Sequence, residues 1–403
     1  MKILFLTDNF PPEVNAPATR TYEHCREWVK QGAEVTVITG APNFPAGKVY
    51  KGYKNRLFKK ENMDGINVIR VWTYIAANKG TIKRTLDYIS FGFSAVLAGL
   101  FQKCDLIIGT TPQFFTALAA KKLAKIKRKP WVMEVRDIWP ESIKVVEAVK
   151  DGSVMRYLEK KERQCYHSAD KIVCVTQGIH DRLLSRGIPE NKLKVFTNGA
   201  NLELYCPKEK DKDLIKELGL EGKNVIGYIG TMGMAHKLDF ILHCASKITD
   251  PNTHFLLIGE GAEKENLLTL KDKLALKNVT ILDAIPKHEV SNYLSVIDIA
   301  LVNLKKTDLF LGALPSKIFE NAAMGNPILL GLKGEAENVI NRYKAGIAFE
   351  PENEADFIEK LSFLTNNNKF YMQSKAGCRK LAEDYNRETI AKNMLDHIMQ
   401  LNI

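Results

Sequence analysis

What most narrows the folds open to this chain is an alternation. Short apolar runs of strand length take turns with longer stretches of helical periodicity along nearly the whole sequence. A strand followed by a helix cannot return as a hairpin, so such strands stack in parallel and are covered on both faces. In the first half the expected strands are Lys2–Thr7, Glu34–Thr39, Asn67–Trp72, Asp105–Gly109, Trp131–Val135, Lys171–Val175 and Lys194–Phe196. In the second half they are Asn224–Ile229, Thr253–Ile258, Val279–Ile281, Ile299–Val302, Pro327–Leu330 and Ile347–Phe349. Each half therefore carries about six strands, enough for its own doubly wound α/β sheet. At 403 residues the chain also exceeds one average domain. The boundary is expected near Asn198–Pro207, a non-periodic segment, giving domains over 1–200 and 201–386. The last periodic segment, Arg387–Leu401, carries apolar Ile390, Met394, Leu395 and Ile398 and suits packing on either domain.

In a parallel sheet of this kind, ligands bind outside the carboxyl ends of the strands. After the first strand comes Asp8 to Arg20, with three prolines and with small Asn15, Ala16 and Ala18 leading into a helix. Small residues there admit a ligand to the backbone, and they equally suit a rigid loop. Trp131–Val135 is followed by Arg136-Asp-Ile-Trp-Pro-Glu-Ser142. Here Asp137, Glu141 and Arg136 offer polar groups for a sugar, with Trp139 as a stacking surface. The alternative is an ion pair of Arg136 with Asp137 or Glu141 that props the loop. Asn224–Ile229 leads into Gly230-Thr-Met-Gly-Met-Ala-His-Lys237, whose glycines permit a phosphate-hugging turn with His236 or Lys237 as charge. Gly259-Glu-Gly261 is a second Gly-rich turn. Neither matches a kinase-type or dinucleotide-type loop, and each is also compatible with a plain turn.

The stretch Leu311–Gly331 reads as loop, helix and strand. Pro315 is tolerated in a first helical turn, Gly325 and Pro327 stop the helix, and Ile328 to Leu330 form a buried strand. A helix start is a natural anion site. Lys317 lies in that first turn with Glu320 three residues on, a cation for phosphate beside a carboxylate for paired hydroxyls. An ordinary capped helix with solvated Lys and Glu fits the same residues.

Charge is unevenly spread: residues 1–200 hold 33 Lys and Arg against 19 Asp and Glu, within a chain of net charge +11. A basic front half suits an anionic partner (membrane surface, nucleic acid or a phosphorylated acceptor) or reflects a generally Lys-rich composition. Tyr88 to Phe101 is free of charge, preceded by Lys79, Lys83 and Arg84, and the basic run Lys121–Lys129 follows. The segment is too short to span a bilayer, and suits a membrane surface or a buried core helix. Seven scattered cysteines without C-x-x-C fit a reducing compartment and argue against disulfides or zinc. Met1 runs straight into a strand, so no signal peptide is expected. Asp211 and Asp213 form a D-x-D in a Lys-rich run and read as a solvated helix face, and the histidines other than His236 show no metal spacing.

Taken in order, these pieces resemble glycosyltransferase family 4, the retaining two-domain GT-B enzymes, over nearly the whole chain. Glu320 with Ala323-Met-Gly325-Asn-Pro327 matches the second half of the family's E-x7-E and A-x-G-x-P marks. Asn198-Gly199, the Gly230 loop and Gly259-Glu-Gly261 match further. Pro11-Pro12-Glu13, Asn15 to Arg20, Arg136 to Ser142, Gly230 to His236 and Leu314-Pro-Ser-Lys-Ile-Phe-Glu320 resemble the O-antigen and capsule branch that includes N-acetyl-L-fucosamine transferases. Three positions depart from the pattern. Gly312 stands where the first Glu falls, Thr231 where a basic residue usually follows the glycine, and Arg136-Asp137 where the family has His-Asp.

The resemblance implies two Rossmann-like domains facing across a cleft, with a UDP-sugar as donor substrate and no metal or other cofactor. It implies a polyprenyl-diphosphate-linked saccharide as acceptor, a membrane surface met by the basic domain, and no nucleic acid. The location implied is cytoplasmic, peripheral on the inner face of the cytoplasmic membrane. Donor contacts would be Gly230, Thr231, Gly233, His236, Lys237, Gly259, Glu260, Leu314, Ser316 and Glu320, the last on the ribose. Lys317, with His236 or Lys237, takes over the phosphate charge. Asp137 would orient the acceptor hydroxyl, and Arg136 would replace a catalytic His or hold the acceptor diphosphate. Asn15, Arg20, Trp139 and Glu141 would be acceptor-side contacts. Two other classes share this architecture: a UDP-N-acetylhexosamine 2-epimerase and a non-catalytic nucleotide-sugar-binding subunit.

Overall fold

The computed structural model describes residues 1–44, 47–75, 81–139 and 152–401. The chain divides into two compact units, Met1–Thr197 with Glu388–Ile403, and Asn198–Arg387. In the first unit the strands are β1 (Lys2–Leu6), β2 (Glu34–Thr39), β3 (Phe58–Met63), β4 (Ile66–Val71), β5 (Leu106–Thr110), β6 (Trp131–Val135), β7 (Lys171–Cys174) and β8 (Leu193–Val195). They form one sheet in the order β3-β4-β2-β1-β5-β6-β7-β8. Its helices are α1 (Ala16–Lys30), α2 (Thr81–Leu100), α3 (Phe114–Lys127), α4 (Ser153–Ser168) and α5 (Gln177–Ser185). β1, β5 and β6 are near-continuous apolar runs because both faces of the sheet are covered.

One strand lay outside the expected set. β3 pairs antiparallel with β4 through Asp64-Gly65, both at positive φ (49° and 83°). Asp-Gly between two runs is the signal for a two-residue hairpin. Sequence Phe-Lys-Lys-Glu-Asn-Met is too polar to show as an apolar run, which suits an exposed sheet edge.

In the second unit the strands are β9 (Asn224–Ile229), β10 (Thr253–Ile258), β11 (Val279–Leu282), β12 (Ile299–Asn303), β13 (Ile328–Gly331) and β14 (Gly346–Ala348). All are parallel, in the order β11-β10-β9-β12-β13-β14. Around them lie α6 (Lys212–Glu217), α7 (Leu238–Ser246), α8 (Lys264–Lys273), α9 (Val290–Ser295), α10 (Lys317–Met324), α11 (Glu335–Tyr343), α12 (Glu354–Asn366) and α13 (Asn368–Asp384). Asp211 caps α6 by accepting from the N–H groups of Asp213 and Leu214, so the D-x-D is a helix start.

The last helix, α14 (Arg387–Met399), belongs with the first unit from Glu388 on. Its Met394, Leu395 and Ile398 share a buried cluster with Phe5, Trp28 and Phe196. The Trp28 indole N–H donates to the Ala391 carbonyl at 2.8 Å. Among the described residues no helix is long and apolar enough to cross a membrane, and every described cysteine is unpaired.

Candidate functional site

The carboxyl ends of β9 and β10 are sewn together by their loops. Gly230 N–H donates to Ile258 O at 2.9 Å and Met232 N–H to Glu260 O at 2.8 Å. Gly259, at φ +156°, lies so close that a Cβ there would fall 1.8 Å from Gly230 O. Only glycine fits that approach. Gly259→Ala is therefore expected to destabilise the second unit by roughly 1–3 kcal/mol, read as a lowered denaturant midpoint. An unshifted midpoint would show that the loops part without cost.

Against this floor stands Lys317, the first residue of α10. The residue is partly exposed, but Nζ is buried and has no hydrogen-bond partner. Nζ rests 3.7 Å from the centroid of the Tyr228 ring and would be 3.1 Å from a Cβ on Gly230. Burial pushes its ammonium down to about 7, with the Glu320 charge pulling the other way. Tyr228 is fixed in turn: its hydroxyl donates to Thr231 O at 2.5 Å, and burial raises its phenol. The His236 ring meets the same tyrosine edge-on at 5.8 Å. Burial first, then the Lys317 charge, push His236 down to about 3, and its Nδ1 is buried without a hydrogen-bond partner. Asn303 holds the loop by donating to the carbonyls of His236 (2.9 Å) and Lys237 (3.3 Å). A buried ammonium with a tyrosine ring beneath it but no hydrogen-bond acceptor, over a glycine backbone at a strand end, is complementary to a small anion.

The other expected donor residues divide sharply. Lys237, in a left-handed backbone at φ 49°, is paired with Asp239 at 2.6 Å, so its charge is already answered. Lys264 holds the Glu260 carboxylate at 2.5 Å and also bonds Asp283. Leu314 is buried in the core, which corrects the expectation for its side chain: only its backbone is left for a ligand. Ser316 heads α10, but its hydroxyl caps no N–H. Thr231 is exposed, Gly233 is extended at φ −111°, and Glu320 is partly exposed in the first turn of α10. Gly312 closes a short 3-10 turn, Asp308–Gly312.

In the first unit the ends of β1, β5 and β6 adjoin. Here the structure corrects one acceptor-side expectation. Arg20 is 1% exposed: Nε donates to Glu134 Oε1 at 2.9 Å, Nη2 to Phe196 O at 2.8 Å, and Nη1 to Thr197 O. It is an internal clamp. Asn15 caps α1, accepting from Ala18 N–H at 2.9 Å and donating to Asn9 Oδ1 at 2.7 Å, so its amide serves the helix start. Trp139 stacks on Phe114 at 4.7 Å with Phe115 edge-on, which commits one ring face to packing. Glu141 lies outside the described residues. The Arg136 and Asp137 N–H groups both point at Thr111 Oγ1, at 2.8 and 3.4 Å.

Three further carboxylates, to which the sequence assigns no role, follow β1 or lie on β6. Glu134 is buried between Arg20 and Arg136 (4.0 Å) and accepts from Thr110 Oγ1 at 2.7 Å. Burial alone would raise its carboxyl, but the two guanidinium groups and these hydrogen bonds hold it below the usual range. The signal was there: one carboxylate inside the apolar run Trp-Val-Met-Glu-Val demands a buried cation. Glu13 accepts the N–H groups of Asn43 and Phe44, and burial raises it. Asp8 is pushed well up by burial, then by Asp87 and Glu13. Among the described residues no cluster of His, Cys, Asp and Glu is arranged to hold a metal ion.

Comparison with known proteins adds relatives to this geometry. Residues 15–199 match the glycosyl transferase 4-like domain, and residues 210–381 match glycosyl transferases group 1. The chain is 25% identical over 346 residues, 84% of each chain, to WcaI of Escherichia coli (strain K12), named for glycosyl transfer in colanic acid biosynthesis. Among solved structures, sucrose-phosphate synthase from Thermosynechococcus elongatus superposes with a TM-score of 0.79 at 15% identity, covering 99% of this chain and 98% of that one. Anabaena HepE in complex with UDP-glucose superposes with a TM-score of 0.75 at 14% identity over 100% of both chains. These two share the fold, two parallel-sheet α/β domains of GT-B type.

Proposed function

The chain belongs to family 4 of the glycosyltransferases, and on that premise we propose that it moves an N-acetylated amino-deoxyhexose, such as N-acetyl-L-fucosamine, from UDP to a polyprenyl-diphosphate-linked saccharide. The transfer retains anomeric configuration and builds an O-antigen-like or capsular polysaccharide at the inner face of the cytoplasmic membrane. WcaI's name supports the polysaccharide, and UDP-glucose in HepE supports the nucleotide. The observation that carries the reading is Lys317: its Nζ is buried over Gly230 with no hydrogen-bond partner in the protein, a position suited to an anion. A donor diphosphate laid on the β9 loop supplies one.

The chemistry follows. As the bond from the sugar C1 to the UDP oxygen breaks, charge builds on the departing phosphate, and a fixed cation meets it without reorganising. The acceptor hydroxyl bonds to C1 on the same face, and its proton passes to the departing phosphate oxygen. Glu320 is assigned the ribose hydroxyls, Asp137 the orientation of the acceptor hydroxyl, and Arg136 the acceptor's negative charge.

Thermal unfolding with UDP, GDP, ADP and TDP sugars tests the donor. The UDP sugar at a hundredfold excess over its Kd is expected to stabilise the protein by about 2.7 kcal/mol, and Glu320→Gln to weaken UDP about tenfold. Stabilisation by a GDP or ADP sugar alone would overturn the nucleotide assignment.

A further inference from the structure

Helix α2 is apolar on both faces, and only one of them is covered. Its inner face supplies Phe91, Ala95 and Val96 to the core. There Gly99 lets α3 come so near that a Cβ would fall 2.4 Å from Leu123 Cδ2. Outward, one side chain per turn points to water: Leu86, Ile89, Phe93, Leu97 and, just past the helix end, Phe101, between 46% and 85% exposed. Of the two sequence readings of this segment, core helix holds for the inner face, and the outer face is open to a surface partner. A helix apolar all round is ordinarily buried all round, and a contiguous apolar stripe in water marks a binding surface.

The surroundings say what covers it. Exposed Lys83 and Arg84 precede the stripe, and exposed Lys103 follows it. α3, packed alongside, adds exposed Lys122, Lys125 and Ile126. Lys127 is tied to the end of α2 by its Nζ on Leu100 O at 3.1 Å. No acidic residue occurs from Tyr88 to Lys103, or from Leu106 to Met133. Asp87 is partly buried, and Asp105 accepts the backbone N–H of Lys2. Apolar side chains edged by charges that are all cationic, among the exposed residues described on α2 and α3, complement an anionic lipid surface: hydrocarbon for the stripe, headgroup phosphate for the rim. A protein partner would call for carboxylates among the cations or a mixed rim.

We propose that α2 docks flat on an anionic bilayer, with Phe93, Leu97 and Phe101 entering the headgroup–acyl boundary and Lys103, Lys122 and Lys125 meeting phosphates. The inference adds to the lipid-linked acceptor proposed above but stands on this surface alone, whichever sugar is moved. Flotation of the full chain with vesicles tests it. Binding is expected on phosphatidylglycerol/phosphatidylcholine vesicles, far less on phosphatidylcholine alone, and weaker at high salt. Phe93→Ser with Phe101→Ser should lower partitioning roughly tenfold or more. Lys122→Glu with Lys125→Glu should remove the preference for anionic lipid. Both variants should keep UDP binding and melting temperature, so a failure here is distinct from a failure of the donor reading. Phenylalanine variants that float like the parent would overturn the proposal. So would a parent that binds no vesicle and forms a dimer that the same variants dissociate, which would assign the stripe to a second copy.

Discussion

Replacing Lys317 with methionine is expected to lower turnover by about 10²–10³-fold while leaving the protein at least as stable. The two halves of that outcome have one cause. Nζ is buried with no hydrogen-bond partner, so in the free protein its charge is a cost, and methionine keeps the stem without it. On a diphosphate the same charge is the main attraction. A merely structural lysine would show the reverse, lost stability with retained rate.

The pH dependence carries a sign that can be checked. With its value pushed down to about 7, free Lys317 is largely neutral above that pH, whereas the diphosphate-bound form favours the ammonium. Binding therefore draws in a proton above pH 7. Affinity is highest below 7 and falls as the pH rises toward the ordinary lysine value of 10.5. A UDP-sugar is the right probe, since its diphosphate has no group titrating near neutrality. Calorimetry at pH 8 in buffers of different ionisation enthalpy should show proton uptake that Lys317→Met abolishes. Uptake unchanged in that variant, or near-parental turnover, would remove Lys317 from the phosphate site.

The second large effect is on stability. Arg20→Met is expected to destabilise the first unit by about 3–5 kcal/mol, or roughly 10 °C in melting temperature. The substitution leaves Glu134 buried with Arg136 at 4.0 Å and deprives the Phe196 and Thr197 carbonyls of their donors. Adding Glu134→Leu should recover a good part of the loss, because the uncompensated carboxylate is what costs most. The parent carries a matching acid dependence. Glu134 is held below its ordinary 4.5, so its contribution is complete above about pH 4.5 and is lost as pH falls through the lower, folded value. An Arg20→Met protein with a parental denaturant midpoint would show the clamp to be ornamental.

Much of this molecule is legible in its sequence, and the rest is hidden for identifiable reasons. Apolar runs separated by helical periods give the two parallel sheets, because burial on both faces forces that pattern. The edge strand β3 escaped since an edge facing water needs no apolar run, though Asp64-Gly65 announces its hairpin. Placement of the Gly230, Gly259 and Lys317 loops at strand ends follows from topology alone. Which cation is unanswered does not, for Lys317 meets Tyr228, 89 positions away, only in the folded chain. The pairing of Lys237 is local, with Asp239 only two residues on, and is legible in the sequence. Arg20 and Glu134 stand 114 residues apart. An arginine near a loop reads as a ligand contact until the carboxylate it serves is seen.

The return of α14 to the first unit has a consequence for the order in which the protein is made. Trp28 leaves the ribosome early, but Ala391, Met394, Leu395 and Ile398, which close the core around it, emerge some 360 residues later. Until then the first unit carries an open apolar face while the second is translated entire. The domain begun first is finished last, and this is the interval in which a nascent chain is most exposed to chaperones and to its neighbours on the polysome.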